Sequence, residues 1–150
     1  MTLNKPTTLQ DICTFQETSR KLKEAGFPQE GGIAYWVKYY KNETDFRANE
    51  FYWRLDYNKD SLIKQNEFLR GRIEEGNAIR AFTFNELWDI LPMRIETPYG
   101  IYFKGLIGGM IFYKSNDGNM LYFRAGTPLQ DITARFFLEC IRKEYVDVKK

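Results

Sequence analysis

Three short stretches of the chain place a hydroxyl, two further residues, and then a carboxylate or amide: Thr14 with Glu17, Thr83 with Glu86 and Thr127 with Gln130. Such a trio could hold an anion, because the first N–H groups of a helix point outward without partners and carry partial positive charge. In "RAGTPLQD" the order strand, Gly, helix is that of a phosphate site. The Gly-rich loop and Lys of a P-loop are missing there, and Gln130 and Asp131 would crowd an anion. The same spacing also describes a capping box, in which Thr accepts from the backbone N–H three residues on while Glu or Gln bonds back to the Thr N–H. Capping is the reading adopted for all three.

Nucleophiles and metal ligands are sparse. The chain has no His, which removes the commonest general base and the commonest transition-metal ligand. Cys13 and Cys140 lie far apart without CxxC spacing, so neither a zinc ribbon nor a redox motif is spelled out. Cys13 precedes a helix, where the dipole could lower a thiol pKa, but no imidazole exists to act as its base. Cys140 falls on an apolar stripe and reads as a small core residue. Acidic candidates are Glu74-Glu75, "NETD" and "SNDGN"; the last lacks the ligand ladder and closing Glu of a calcium loop. The expectation is therefore a non-enzymatic protein with no catalytic residues, no metal and no cofactor.

Binding chemistry is better represented. The runs "GIAYWVKYYK" and "EFYWRLDYN" are rich in aromatic and branched residues and read as two strands. The face opposite the buried one would gather Trp36, Lys38 and Tyr40 beside Tyr52 and Arg54. Aromatics interleaved with cations on an open sheet can stack and neutralise RNA or single-stranded DNA. Glu50 and Asp56 share that face, and the sequence signatures of RNA-recognition domains are absent. Exposed Tyr, Trp and Arg are also enriched where proteins dock. The reading is a protein-binding or accessory module using these five residues, with single-stranded nucleic-acid binding as the alternative.

The elements that position them follow from apolar spacing. After Thr14 come Phe15, Leu22 and Ala25, with Gly26 and Pro28 as stop signals. After Thr83 come Phe84, Leu87, Trp88 and Leu91, ended by Pro92, with Phe82 placed to staple onto Leu87. After Thr127 come Leu129, Ile132, Phe136, Phe137, Cys140, Ile141 and Tyr145, the broadest apolar side in the chain and one that could also pair with another copy. In "EFYWRLDYN" Phe51, Trp53, Leu55 and Tyr57 alternate with polar positions, which predicts one buried face. "YGIYFKGLI", "MIFYKS" and "NMLYFR" predict a meander turned at Gly108-Gly109 and Asp117-Gly118. Residues 58–80 divide between a helix carrying Leu62, Leu69 and Ile73 and a long irregular connection. "TFQE" and "TFNE", each leading to a Pro and then to "GIAY" or "GIYF", suggest a duplicated helix-plus-strands unit.

Together these elements predict a single globular α+β domain over residues 1–150, a mainly antiparallel sheet with about three helices packed on one face. The chain has 150 residues, 43% apolar and 17% aromatic, which is enough for a substantial core without staples. A net charge of +2 and a pI near 8.4 do not by themselves select nucleic acid or anionic lipid. "LIGGMIF" is the longest apolar stretch, far short of a bilayer span, and "MTLNKPTTLQ" does not read as a secretion signal. The expected setting is the cytoplasm.

"ETSRKLKEAGFPQE", "IRAFTFNELWDILPMRI" and "TPLQDITARFFLECIRKEY" resemble a family of small uncharacterised proteins encoded by gut Bacteroides relatives and by their phages and integrated elements. The resemblance covers about half the chain and rests on helix starts and stops. It implies a commensal or mobile-element setting and carries over no activity and no site residue.

Overall fold

The computed structural model describes residues 7–40, 51–57 and 71–148. Its order is α1 (Leu9–Ile12), α2 (Gln16–Glu24), β1 (Ala34–Tyr40), β2 (Phe51–Tyr57), β3 (Ala78–Ala81), α3 (Phe84–Ile90), β4 (Arg94–Thr97), β5 (Gly100–Ile107), β6 (Met110–Lys114), β7 (Met120–Ala125) and α4 (Leu129–Arg142). The α+β class is as expected, with all strand pairings among these residues antiparallel. The single sheet is a correction: the strands form two, ordered β2-β1-β3 and β4-β5-β6-β7. The helices are divided accordingly. α1 packs on β2, α2 lies between β3 and α4, and α4 packs on β6, β7 and α3.

The larger core sits between the helices and the inner face of the four-stranded sheet. Leu22, Phe27, Phe82, Leu87 and Leu91 meet Ile95, Tyr102, Ile111 and Tyr113 there, under Phe136, Phe137 and Cys140. The apolar side of α4 is thus consumed within the chain. Phe27 stands edge-on to both Phe82 and Phe137, with ring centroids 5.7 and 4.7 Å away. Phe82 and Leu87 are both fully buried in this cluster, as the staple requires. A smaller cluster of Cys13, Ala34 and Ala81, with Leu9, Trp36 and Leu55 against it, seals the three-stranded sheet onto α1.

The predicted hairpin and meander are present, and β3 and β4 are additions to them. β3 falls in the stretch that the sequence left between helix and loop; residues 71–74 are helical, while Leu62 and Leu69 lie outside the described residues. Its four residues are all buried, so no polar alternation marks them. The duplicated unit is not kept in element order, since β1 is the first strand after α2 but β5 follows α3 only after β4. In β2 the expected alternation is weak: Phe51 and Tyr57 are exposed, Trp53 and Leu55 half-buried.

Of the three capping boxes one forms as read. The Thr83 hydroxyl accepts from the Glu86 N–H at 3.2 Å, and Glu86 accepts from the Thr83 N–H at 3.0 Å. Thr14 is instead buried two residues ahead of α2; its hydroxyl bonds Ser19 Oγ at 2.7 Å and accepts the Phe82 N–H at 3.0 Å. The start of α2 is capped from across the molecule, where Asp131 of α4 accepts the Phe15 N–H at 3.0 Å and the Thr18 hydroxyl at 2.9 Å. Thr127 is exposed and Pro128 takes the cap position of α4; Gln130 turns away to donate to the carbonyls of Asp11 and Cys13. An unforeseen box, Thr8 with Asp11, opens α1.

These roles are separable by urea unfolding. Asp131→Ala strands the Phe15 N–H and the buried Thr18 hydroxyl and is expected to cost about 2–4 kcal/mol. Thr83→Ala should cost about 1 kcal/mol, and Thr127→Ala less than about 0.5 kcal/mol. Equal losses at Thr83 and Thr127 would contradict the assignment.

Candidate functional site

Directly opposed residues of an antiparallel pair share a face, so register decides whether the five hairpin residues can act together. They cannot act as one set. Trp36 pairs with Leu55, Lys38 with Trp53 and Tyr40 with Phe51, whereas Tyr52 pairs with Tyr39 and Arg54 with Val37. Trp36, Lys38 and Tyr40 therefore belong by register to one face, Tyr52 and Arg54 to the other.

Each face has its own local chemistry. Trp36 belongs to the small core, and its indole N–H donates to the Thr14 carbonyl at 3.0 Å. Lys38 lies with Nζ 4.0 Å from the centroid of the Phe51 ring. On the other face Tyr52 stacks on Tyr39 at 5.7 Å, and the Arg54 guanidinium sits 4.3 Å from the Tyr39 ring centre. Arg54 Nε donates to Asp56 Oδ1 at 2.8 Å, and the Tyr39 hydroxyl donates to the same carboxylate. Burial first, and then that carboxylate, raise the Tyr39 pKa. Arg54 is thus engaged by an acid on its own strand, which reduces what it can offer a phosphate.

Of the remaining sequence candidates, the two cysteines are built into the scaffold. Cys13 and Cys140 are buried free thiols. Burial first, and then Glu86, push Cys13 up to about 11; burial pushes Cys140 up to about 12. A thiol so protonated is a poor nucleophile. Glu74, Glu75 and Asp117 are exposed, and "NETD" lies outside the described residues. Among the described residues no three of His, Cys, Asp and Glu gather as a metal site would. No helix among them is long and apolar enough to cross a membrane.

Two cations go unmentioned by any sequence pattern. Arg80 in β3 is 7% exposed and donates to the carbonyls of Pro28 and Glu30 and, at 2.7 Å, to Glu86. Its guanidinium lies against the backbone of Gly32, where a Cβ would come within 2.6 Å of Nε. Lys104 in β5 reaches the C-terminal end of α3, donating to the carbonyls of Trp88 and Leu91, with Nζ 4.3 Å from the Trp88 ring. Burial lowers its pKa. Lys104 thus satisfies carbonyls at the end of α3 that the helix ladder leaves over, and Arg80 satisfies carbonyls of the loop after α2.

Among the described residues, the outer face of the four-stranded sheet is left open. Its cross-strand rows run from Glu96 and Ile101, through Arg94, Phe103, Lys114 and Met120, to Gly105, Phe112 and Phe123, and finally Ile107, Met110 and Ala125. Ile107 is 66% exposed, Phe123 53% and Ile101 43%. At the centre the Phe112 ring lies over Gly105, where a Cβ would come within 2.3 Å of it. Seated there, that ring is only 8% exposed. The inner face carries Tyr102, Leu106, Ile111 and Tyr113 into the core. These strands are therefore apolar on both sides, and the signal was available: "GIYFKGLI" and "MIFYKS" are apolar at odd and even positions alike.

No protein-family model, no curated protein and no solved structure matches the chain.

The buried thiols make a pH prediction. Each thiol keeps its proton to higher pH in the folded chain than in the unfolded one, where it ionises near 9.0. The native state then binds more protons above pH 9, so stability falls as pH rises from 9 through about 11 to 12. A thiol reagent at pH 8 should leave both cysteines untouched until urea unfolds the chain, and Cys140→Ala should flatten part of the alkaline loss in urea midpoint. Rapid labelling of native protein would contradict both.

Proposed function

We propose that this chain is a protein-docking module without catalytic chemistry of its own, and that the outer face of the β4-β5-β6-β7 sheet is where a partner chain sits. The observation that carries this reading is a sheet face whose two rows away from the charged end are apolar, with Ile107 and Phe123 standing in solvent. Contiguous exposed apolar surface on a small protein marks an interaction site more often than it marks packing defects. Charged residues are confined to one end, where Arg94, Glu96 and Lys114 would form a polar rim.

The hairpin supports the nucleic-acid alternative less well. Stacking bases along a strand needs successive aromatics and free cations on one face. Here the aromatics divide between two faces, Trp36 is spent on the small core and Arg54 is held by Asp56. A commensal or mobile-element setting is part of the proposal on the strength of the resemblance alone, and a cytoplasmic one on the sequence reading of its start and its short apolar runs.

Photo-crosslinking tests the surface. A benzophenone side chain at Phe123 is expected to form covalent adducts with protein in cells expressing the chain, and the same group at Tyr52 is expected to form none with oligonucleotides. Absence of any protein adduct from Phe123, or adducts of nucleic acid from Tyr52 that vanish with added salt, would reverse the choice.

A further inference from the structure

We infer that the occupant of this outer face is a second copy of the same chain, stacked sheet on sheet about a two-fold axis; the inference rests on the docking reading above.

The exposed area suits a second copy. Ile101, Ile107, Met120 and Phe123, with the half-buried Phe103 and Met110, expose on the order of 500 Å² of apolar surface, at the upper end of what a monomer carries. With the charged rim included the face offers about 800 Å², the share one partner contributes to an interface of standard size. A peptide strand or a single side chain would cover only part of it. A second four-stranded face covers all of it at the roughly 10 Å spacing of packed sheets.

The face is also self-complementary. β5 and β6 are the two central strands of this sheet. An axis running along the strands lays β5 of one copy over β6 of the other and keeps each cross-strand row against its own counterpart. Ile107 then meets Met110, and the Gly105 and Phe112 pair meets the same pair inverted. Apolar rows cover apolar rows. At the charged end each Arg94 is already paired with Glu96 of its own strand, and Lys114 lies over Phe103 of the other copy. An isologous contact of this kind closes at two copies. The net charge of +2 per chain puts little repulsion in its way.

The test uses the purified full chain. Sedimentation should give a mass near twice 17.8 kDa that falls to one copy on dilution. Ile107→Asp should raise the dissociation constant at least about 30-fold, with an unchanged circular dichroism spectrum. Independently, Asn116→Cys in the exposed turn after β6 supplies a thiol free of the burial that protects the native two, and a spin label there should report a single intermolecular distance of about 20 Å, from the strand and sheet spacings. A single-copy mass up to about 1 mM overturns the inference. So does a dimer indifferent to Ile107→Asp, or labels without dipolar coupling. If the chain is monomeric yet Phe123 cross-links to other proteins, the two-copy assembly fails while the docking reading stands; if Phe123 also captures no protein, both fail.

Discussion

The connector between α1 and α2 is where the two halves of the chain are tied. Cys13 and Thr14 are shut from water, so their backbone polar groups must be met by protein. Thr14 exchanges two bonds with Phe82 at the junction of β3 and α3, and its carbonyl receives the Trp36 indole from β1 and the Ser19 hydroxyl from α2. The Cys13 carbonyl receives Gln130 and the Phe15 N–H reaches Asp131, both at the start of α4. Segments more than a hundred residues apart in sequence are thereby fixed to three consecutive positions. The three-stranded sheet is tied to the helices of the larger core through these bonds as well as through apolar contact.

A second junction repeats the logic with charge. Arg80 collects two loop carbonyls and Glu86, and Glu86 in turn holds the Thr83 N–H, so the loop after α2, the strand β3 and the first turn of α3 converge on one guanidinium. A buried pair of this type adds little net stability against an apolar replacement. Its effect here is geometric, since a planar fork can meet several oxygens only from one direction. Lys104 does the same at the other end of α3. The helix is pinned at both ends by side chains from strands of different sheets.

What could be read in advance divides along the same line. The Thr83 box was legible because every atom in it lies within four residues, and the α4 stripe because helical spacing repeats over many turns. Thr14 and Thr127 carry the same local words but different roles, because the donors and acceptors that claim Thr14, and that serve α2 in its stead, come from β3 and α4. β3 was hidden because four buried residues have neither alternation nor length, and one of them is an arginine. On the hairpin, composition was sufficient to name two strands but not their register, and a shift of one residue moves every side chain to the other face. The outer face of the second sheet was written plainly as double-sided apolar strands; only the expectation of helices covering a single sheet obscured it.

The seat that Gly105 provides for Phe112 has a bearing on how the free chain behaves in a crowded solution. A phenyl ring reclining in its neighbour's missing side chain hides most of its own area without help from outside, and leaves a smooth patch in place of a knob between the standing Ile107 and Phe123. Smooth patches meet strangers weakly, because dispersion forces fade within an ångström of imperfect fit. A larger residue at position 105 would have to push the ring from this seat, and more of its area would then meet water.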